Sequence, residues 1–159
     1  MMKIKEENLN RNILESIISL DKSFYNDKEL TLNWYLERYK EYHKVILLCD
    51  DDKIVGYLLG VPIKKELYDA ITNGVITNDI YVNPNMFVKE SLYNYIVSIV
   101  IYEKYRNKGY ANKLMNTLMN NLNGKYCTLT ISKAGYVLAS KYMDLKLIID
   151  DNISVFVKE

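Results

Sequence analysis

The stretch Ile99-Val100-Ile101-Tyr102-Glu103-Lys104-Tyr105-Arg106-Asn107-Lys108-Gly109-Tyr110-Ala111 changes character twice. Its beginning closes the run Tyr95-Ile96-Val97-Ser98-Ile99-Val100-Ile101-Tyr102, nearly all apolar or β-branched, which predicts a central strand buried on both faces. The middle is polar and leads to Gly109 and Ala111. From there Ala111, Leu114, Met115, Leu118, Met119 and Leu122 recur at i, i+3, i+4, i+7, i+8 and i+11, with Asn112, Lys113, Asn116, Thr117, Asn120 and Asn121 between them. That spacing predicts an amphipathic helix with one face against a sheet. Successive N–H groups at such a strand-to-helix turn, joined to the positive end of the helix dipole, suit phosphate oxygens. Gly109 omits the side chain that would block their approach, small Ala111 nearly so, and Arg106 and Lys108 put positive charge at the rim.

Upstream, a short strand is expected at Met2 to Lys5. Helical spacing follows in Ile13, Leu14, Ile17, Ile18 and Phe24, and again in Leu32, Tyr35, Leu36, Tyr39 and Tyr42. Val45 to Cys49 and Ile54 to Val61 are β-rich runs separated by Asp50-Asp51-Asp52-Lys53, too short for a crossover, so they predict an antiparallel hairpin. Lys64 to Asn73 reads as a short helix closed by Gly74, and Val75 to Glu90 as irregular with a turn at Asn83-Pro84-Asn85. Downstream, Asn123-Gly124 ends the amphipathic helix, and Tyr126 to Ser132 returns as a strand. Gly135 to Leu145 forms a helix, and Leu147 to Ile149 with Ile153 to Val157 makes a closing hairpin. The fold class is therefore α/β, a central mixed β-sheet flanked by helices. Residues 1–159 read as a single domain, with no linker, repeat or low-complexity tract.

Composition narrows the function. The chain has 159 residues, 49% apolar, with Lys+Arg 21 against Asp+Glu 20. A chain of this size buries roughly 70% of its unfolded surface and needs no metal or disulfide to hold a core. Net charge +1 speaks against a nucleic-acid partner, which requires a broad positive face. The longest apolar run is far below the ~20 residues of a membrane span, and the start lacks a secretory segment. The expectation is a cytoplasmic protein with no membrane and no nucleic-acid partner. Cys49 and Cys127 sit in apolar or β-branched runs and read as buried free thiols. With one histidine, His43, read as a surface residue ending a helix, no metal site is expected.

Two phosphate-binding signatures do not fit, because the spaced glycines of a dinucleotide fingerprint and the Gly-Lys-Ser/Thr ending of a P-loop are absent. Arg106-Asn107-Lys108-Gly109-Tyr110-Ala111 resembles instead the Gln/Arg-x-x-Gly-x-Gly/Ala signature of the GNAT superfamily of N-acetyltransferases. Gly56-Tyr57-Leu58-Leu59-Gly60 looks like that family's third strand, and the order of elements from Val45 to Val157 is similar.

The resemblance implies a GNAT-like acyl-CoA N-acyltransferase fold with acetyl-CoA as cosubstrate. The diphosphate would lie on Arg106, Asn107, Lys108, Gly109, Tyr110, Ala111 and Asn112, and the pantetheine arm on the backbone of Ile99, Val100 and Ile101. It also implies a catalytic Tyr142, matched within Tyr142-Met143-Asp144-Leu145-Lys146-Leu147 to the family's Tyr-x-x-Leu-Gly-Phe; Lys146 and Leu147 stand in place of Gly and Phe, and Glu103 and Gly135 replace a frequent proline and asparagine. A phenol stays protonated at neutral pH and can give its proton to a departing thiolate. No base is nominated for the acceptor amine; Asp79 and Glu90 are candidates beside the simpler reading that both are solvated. Trp34, Tyr35, Tyr81 and Phe87 are candidates to line an acceptor pocket, with core packing the expectation for most.

The implied activity is acetyl transfer to a primary amine of a small molecule or peptide, with room for a homodimer. The alternatives are a non-catalytic acyl-CoA-binding sensor or interaction module, and a nucleic-acid binder using Arg106, Lys104, Lys108 and Lys113.

Overall fold

The structure, a computed structural model, describes residues 1–25, 30–121 and 123–159. Among the described residues seven strands form one mixed sheet with five helices, in the order β1 (Met2–Asn8), β2 (Lys44–Asp50), β3 (Lys53–Pro62), β4 (Tyr93–Ile101), β5 (Lys125–Thr130), β7 (Ser154–Lys158), β6 (Asp144–Ile148). The chain forms two compact units, residues 1–59 with 98–120 and residues 60–97 with 121–159, and both β3 and β4 pass from one unit into the other. Among the described residues no helix is long and apolar enough to cross a membrane.

The first unit opens with β1 (Met2–Asn8), which pairs antiparallel with β2 (Lys44–Asp50). Between them run α1 (Arg11–Tyr25) and α2 (Leu32–Arg38). The Asn10 side chain starts α1 by accepting the Ile13 N–H at 2.9 Å, satisfying one of the donors left open at a helix N-terminus. Ile13, Leu14, Ile17, Ile18 and Leu20 turn inward from it. As the Asp50 to Lys53 turn predicts, β2 pairs antiparallel with β3 (Lys53–Pro62), with a bulge between Leu48 and Cys49. The C-terminal end of β4 (Tyr93–Ile101) completes this half; just past it the Tyr102 N–H bonds the Val55 carbonyl at 2.8 Å. Then comes α4 (Tyr110–Asn121), which buries Leu114, Met115 and Leu118 as its periodicity requires. Leu122, counted on that face, lies outside the described residues.

Two expectations are corrected here. The second helix stops at Arg38 and does not run to Tyr42; Tyr39 is already extended (φ −113°, ψ 139°), its N–H still on the Tyr35 carbonyl. His43 is buried, at 1% exposure, and is not a surface residue. Its Nδ1 accepts the Lys40 N–H at 3.0 Å and its carbonyl accepts the Leu9 N–H at 2.8 Å, so it closes the turn that feeds β2. A side chain that ties up turn donors from inside outweighs local helical spacing.

The second unit contains α3 (Lys65–Thr72), closed as expected by Gly74 at φ +76°. Short 3-10 turns at Asp79–Tyr81 and Pro84–Met86 follow, each started by an asparagine side chain. The N-terminal half of β4 pairs in parallel with β5 (Lys125–Thr130), from Tyr93 opposite Lys125 to Ile96 opposite Thr128. That ladder ends there, while β4 runs on to Ile101. Beyond its end Val97, Ser98 and Ile99 are half-buried, so the prediction of a strand buried throughout on both faces is corrected.

α5 (Lys133–Tyr142) begins before the expected Gly135 because the Ser132 hydroxyl accepts the Gly135 N–H at 3.0 Å. It also ends short of Leu145. The following residues are taken into β6 (Asp144–Ile148), which pairs antiparallel with β7 (Ser154–Lys158), Leu145 opposite Phe156. Cys49 and Cys127 are both free and buried, and burial pushes each thiol up from its ordinary value.

Candidate functional site

β4 delivers Ile99, Val100 and Ile101 to the start of the polar loop; Ile99 is half-buried and the other two are buried. A 3-10 turn over Glu103–Tyr105 follows, with the Arg106 N–H on the Glu103 carbonyl. Two positive φ values then shape the loop, Asn107 at 61° and Gly109 at 82°. Asparagine tolerates that region better than other side chains, and glycine is at home there. Asn107, Lys108 and Gly109 are exposed; Tyr110, Ala111 and Asn112 are half-buried at the start of α4. The first helical bond runs from the Lys113 N–H to the Gly109 carbonyl at 3.2 Å. Amides ahead of it have no carbonyl one turn back, which leaves the α4 N-terminus its partial positive charge. A Cβ built on Gly109 meets nothing within 4 Å, so the space beside this backbone is open. Main-chain donors, a helix N-terminus and that open space together fit a diphosphate.

The loop is fastened from below. The Tyr105 hydroxyl donates to Asp50 Oδ2 at 2.7 Å and holds that carboxyl below the usual carboxylate range. Arg106 does not stand simply as a rim charge: its Nε donates to the Ile101 carbonyl at 2.7 Å, and its guanidinium lies over the Phe24 ring at 5.1 Å. Two hollows of 590 and 220 Å³ in this unit both border Tyr102, and Glu103 and Arg106 of the loop line the smaller one together with Ser23 and Phe24. Among the described residues no group of three or more His, Cys, Asp or Glu is placed to hold a metal ion.

Tyr142 is the last residue of α5, half-buried, and belongs to the second unit, whereas the loop and the end of β4 belong to the first. Asp79 accepts the Tyr95 hydroxyl at 2.6 Å, and Glu90 is exposed. Of the aromatic candidates, Tyr35 and Phe87 are buried while Trp34 and Tyr81 are exposed.

The sequence reading passed over a polar cluster inside the first unit. Asp21 of α1, 5% exposed, accepts hydrogen bonds from Tyr35 of α2 and from Tyr57 of β3, the latter at 2.5 Å. Tyr57 Oη lies 3.1 Å from Ser98 Oγ of β4, and Tyr25 Oη lies 3.4 Å from the same atom. Burial raises Asp21 above the usual carboxylate range, against the lowering effect of the two phenols. Burial and the facing carboxylate push Tyr57 and Tyr35 up. A signal was available: Asp21 follows Ile17 by four residues and Ile18 by three, which puts a carboxylate on the helix's apolar face.

A family profile described as Acetyltransferase (GNAT) family matches residues 13–134. Comparison with curated proteins finds no match. Among solved structures, the loading GNATL domain of CurA from Lyngbya majuscula is similar at TM-score 0.69 and 12% identity, covering 98% of this chain and 96% of that one. NAA60 of Arabidopsis thaliana in complex with acetyl-CoA is similar at TM-score 0.65 and 13% identity, over 98% and 99% of the two chains. The ribosomal-protein-S18-alanine N-acetyltransferase of Escherichia coli gives TM-score 0.63 and 10% identity, over 99% and 91%. At these identities the likeness concerns the fold alone.

Proposed function

This chain belongs to the GNAT acetyltransferase family and is an acyltransferase, and from that membership we propose that it transfers an acetyl group from acetyl-CoA to a primary amine of a small molecule or peptide. The observation that carries the acetyl-CoA reading is the turn ahead of α4. Gly109 at φ +82° faces open space at the N-terminus of a helix, next to a strand that outruns its parallel partner.

In this reading the amides from Asn107 to Asn112 hold the diphosphate, and the backbone of Ile99 to Ile101 bonds the pantetheine arm along β4. Acetyl-CoA supplies the activated acyl carbon and a thiolate leaving group. A backbone N–H of β4 stabilises the charge that develops on the carbonyl oxygen. Tyr142 gives its phenolic proton to the thiolate. The free, buried Cys49 and Cys127 are in keeping with a reducing, cytoplasmic setting.

The direct test is thiol release from acetyl-CoA with a panel of amines, run beside thermal melting with and without acetyl-CoA. Release, with an upward shift of the melting temperature, is the expected result; a melting temperature that acetyl-CoA leaves unmoved overturns the reading. Tyr142→Phe is expected to lower kcat by roughly 10²-fold, within the range of general acids, with acetyl-CoA affinity kept. Full turnover in that variant would reduce Tyr142 to packing.

A further inference from the structure

We propose that Ser98, Tyr57 and Asp21 form a proton relay that takes the proton from the acceptor's ammonium group, with Ser98 receiving it and Asp21 storing it. The proposal rests on the transferase reading above and supplies the step that reading lacks, since a primary amine is protonated near neutral pH and must lose a proton before it attacks.

The hydrogen-bond arithmetic gives the relay its direction. A phenol has one proton, and that of Tyr57 is committed to the Asp21 carboxylate, which can only accept. The 3.1 Å contact between Tyr57 Oη and Ser98 Oγ therefore uses the serine proton, with Ser98 donating to Tyr57. Ser98 Oγ keeps its lone pairs for a further donor, and Tyr25 Oη already lies 3.4 Å from it. The groups facing Asp21 are Tyr35 from α2 and Tyr57 from β3, with Ser98 of β4 one step beyond Tyr57 and Tyr25 of α1 one step beyond Ser98. Ser98 is half-buried and stands immediately before Ile99 on β4, so the relay reaches the strand that carries the segment assigned to the pantetheine arm, and we take its hydroxyl as the outlet.

The step balances. An ammonium N–H bond breaks and an O–H bond forms at Ser98 Oγ, while the serine proton moves to Tyr57 Oη and the tyrosine proton to Asp21. The nitrogen is left with its lone pair, the carboxylate becomes a carboxylic acid, and both hydroxyls end as they began. Burial raises Asp21 above the usual carboxylate range, which favours the acid form that the relay produces, and the two phenols oppose that rise by bonding the charged form.

A purely structural cluster, a carboxylate buttoning α1 to α2 and β3, predicts something different, and the experiment separates the two. Ser98→Ala removes the outlet and leaves the Asp21–Tyr35–Tyr57 bonds in place. Its expected effect is a kcat lower by roughly 10- to 10²-fold, with acetyl-CoA affinity by calorimetry unchanged, and Ser98→Thr, which keeps the hydroxyl, restores most of the rate. Independently of turnover, the Asp21 carboxyl carbon followed by NMR is expected to titrate above the ordinary value of about 3.9, at the same midpoint in Ser98→Ala, and higher still in Tyr57→Phe, where the charged form loses a donor. Activity falls as pH drops through that midpoint, because a protonated Asp21 cannot accept, and Asp21→Asn abolishes this limb together with most of the rate. A wild-type protein that releases thiol alongside a Ser98→Ala variant of full kcat overturns the relay alone, as does an Asp21 carbon titrating at the ordinary value. A wild-type protein that releases no thiol with any amine overturns the transferase reading and the relay with it.

Discussion

Gly109→Glu is expected to abolish the proposed acetyl-CoA binding while leaving the protein folded. Because a Cβ at position 109 meets nothing within 4 Å, the new side chain does not disturb the core; it projects into the open space assigned to the diphosphate. Two costs arise. Holding a side chain at φ +82° costs roughly 1–2 kcal/mol, which lowers stability modestly. The glutamate carboxylate then faces phosphate charge at short range, and at about 4 Å with an effective dielectric near 20 that repulsion is about 4 kcal/mol. A loss of affinity on the order of 10³-fold follows from the second term alone, using about 1.4 kcal/mol per tenfold. Calorimetry on the wild type, Gly109→Ala and Gly109→Glu separates the terms. The alanine variant melts lower but binds within a few-fold of wild type, and the glutamate variant does not bind. Wild-type affinity in a folded Gly109→Glu protein would dismiss this loop as the diphosphate site.

Gly124→Ala is the substitution expected to damage the fold most. Gly124 has φ +104°, and a Cβ there would stand 2.2 Å from the Leu92 carbonyl oxygen and 2.8 Å from its carbon. That carbonyl cannot swing aside freely, since it accepts the Lys125 N–H at 2.6 Å next to the first rung of the β4–β5 ladder, Tyr93 opposite Lys125. Either the rung breaks or the turn opens, and the loss is expected to exceed about 4 kcal/mol, at the far end of single-substitution effects. At about 2–4 °C per kcal/mol for a chain of this size, melting falls by roughly 8–16 °C. Gly74→Ala is the control. Its φ is also positive, +76°, but its Cβ meets only the flexible end of Leu147 at 2.9 Å, so roughly 1–2 kcal/mol is expected, mostly from the backbone. Equal urea midpoints for the two variants would mean that the Leu92 contact yields without cost.

What could be read from the sequence was what is encoded locally. The strand, turn and helix from Tyr95 to Asn121 announce themselves because apolar spacing and the position of one glycine are short-range signals, and the hairpin around Asp51 does so for the same reason. His43 was misread because its partners, the Lys40 amide and the chain at Leu9, are set by the turn into β2 and not by helical periodicity. Arg106 was legible as a charge near the loop, but its bond to Ile101 and its stacking on Phe24 depend on α1 and β4 meeting it. Asp21 was hidden because counting apolar residues skips a carboxylate in the same stripe, and its phenol partners stand 14 and 36 residues away. Only the folded chain brings such groups together.

The fastening of the polar loop at Tyr105 and Arg106 bears on how a ligand is captured. A segment pinned to Asp50 and to the Ile101 carbonyl already has its shape in the resting protein. Immobilising backbone on association is a large part of what weakens binding by flexible loops. Here that entropy is surrendered once, when the chain folds, and not again at every encounter.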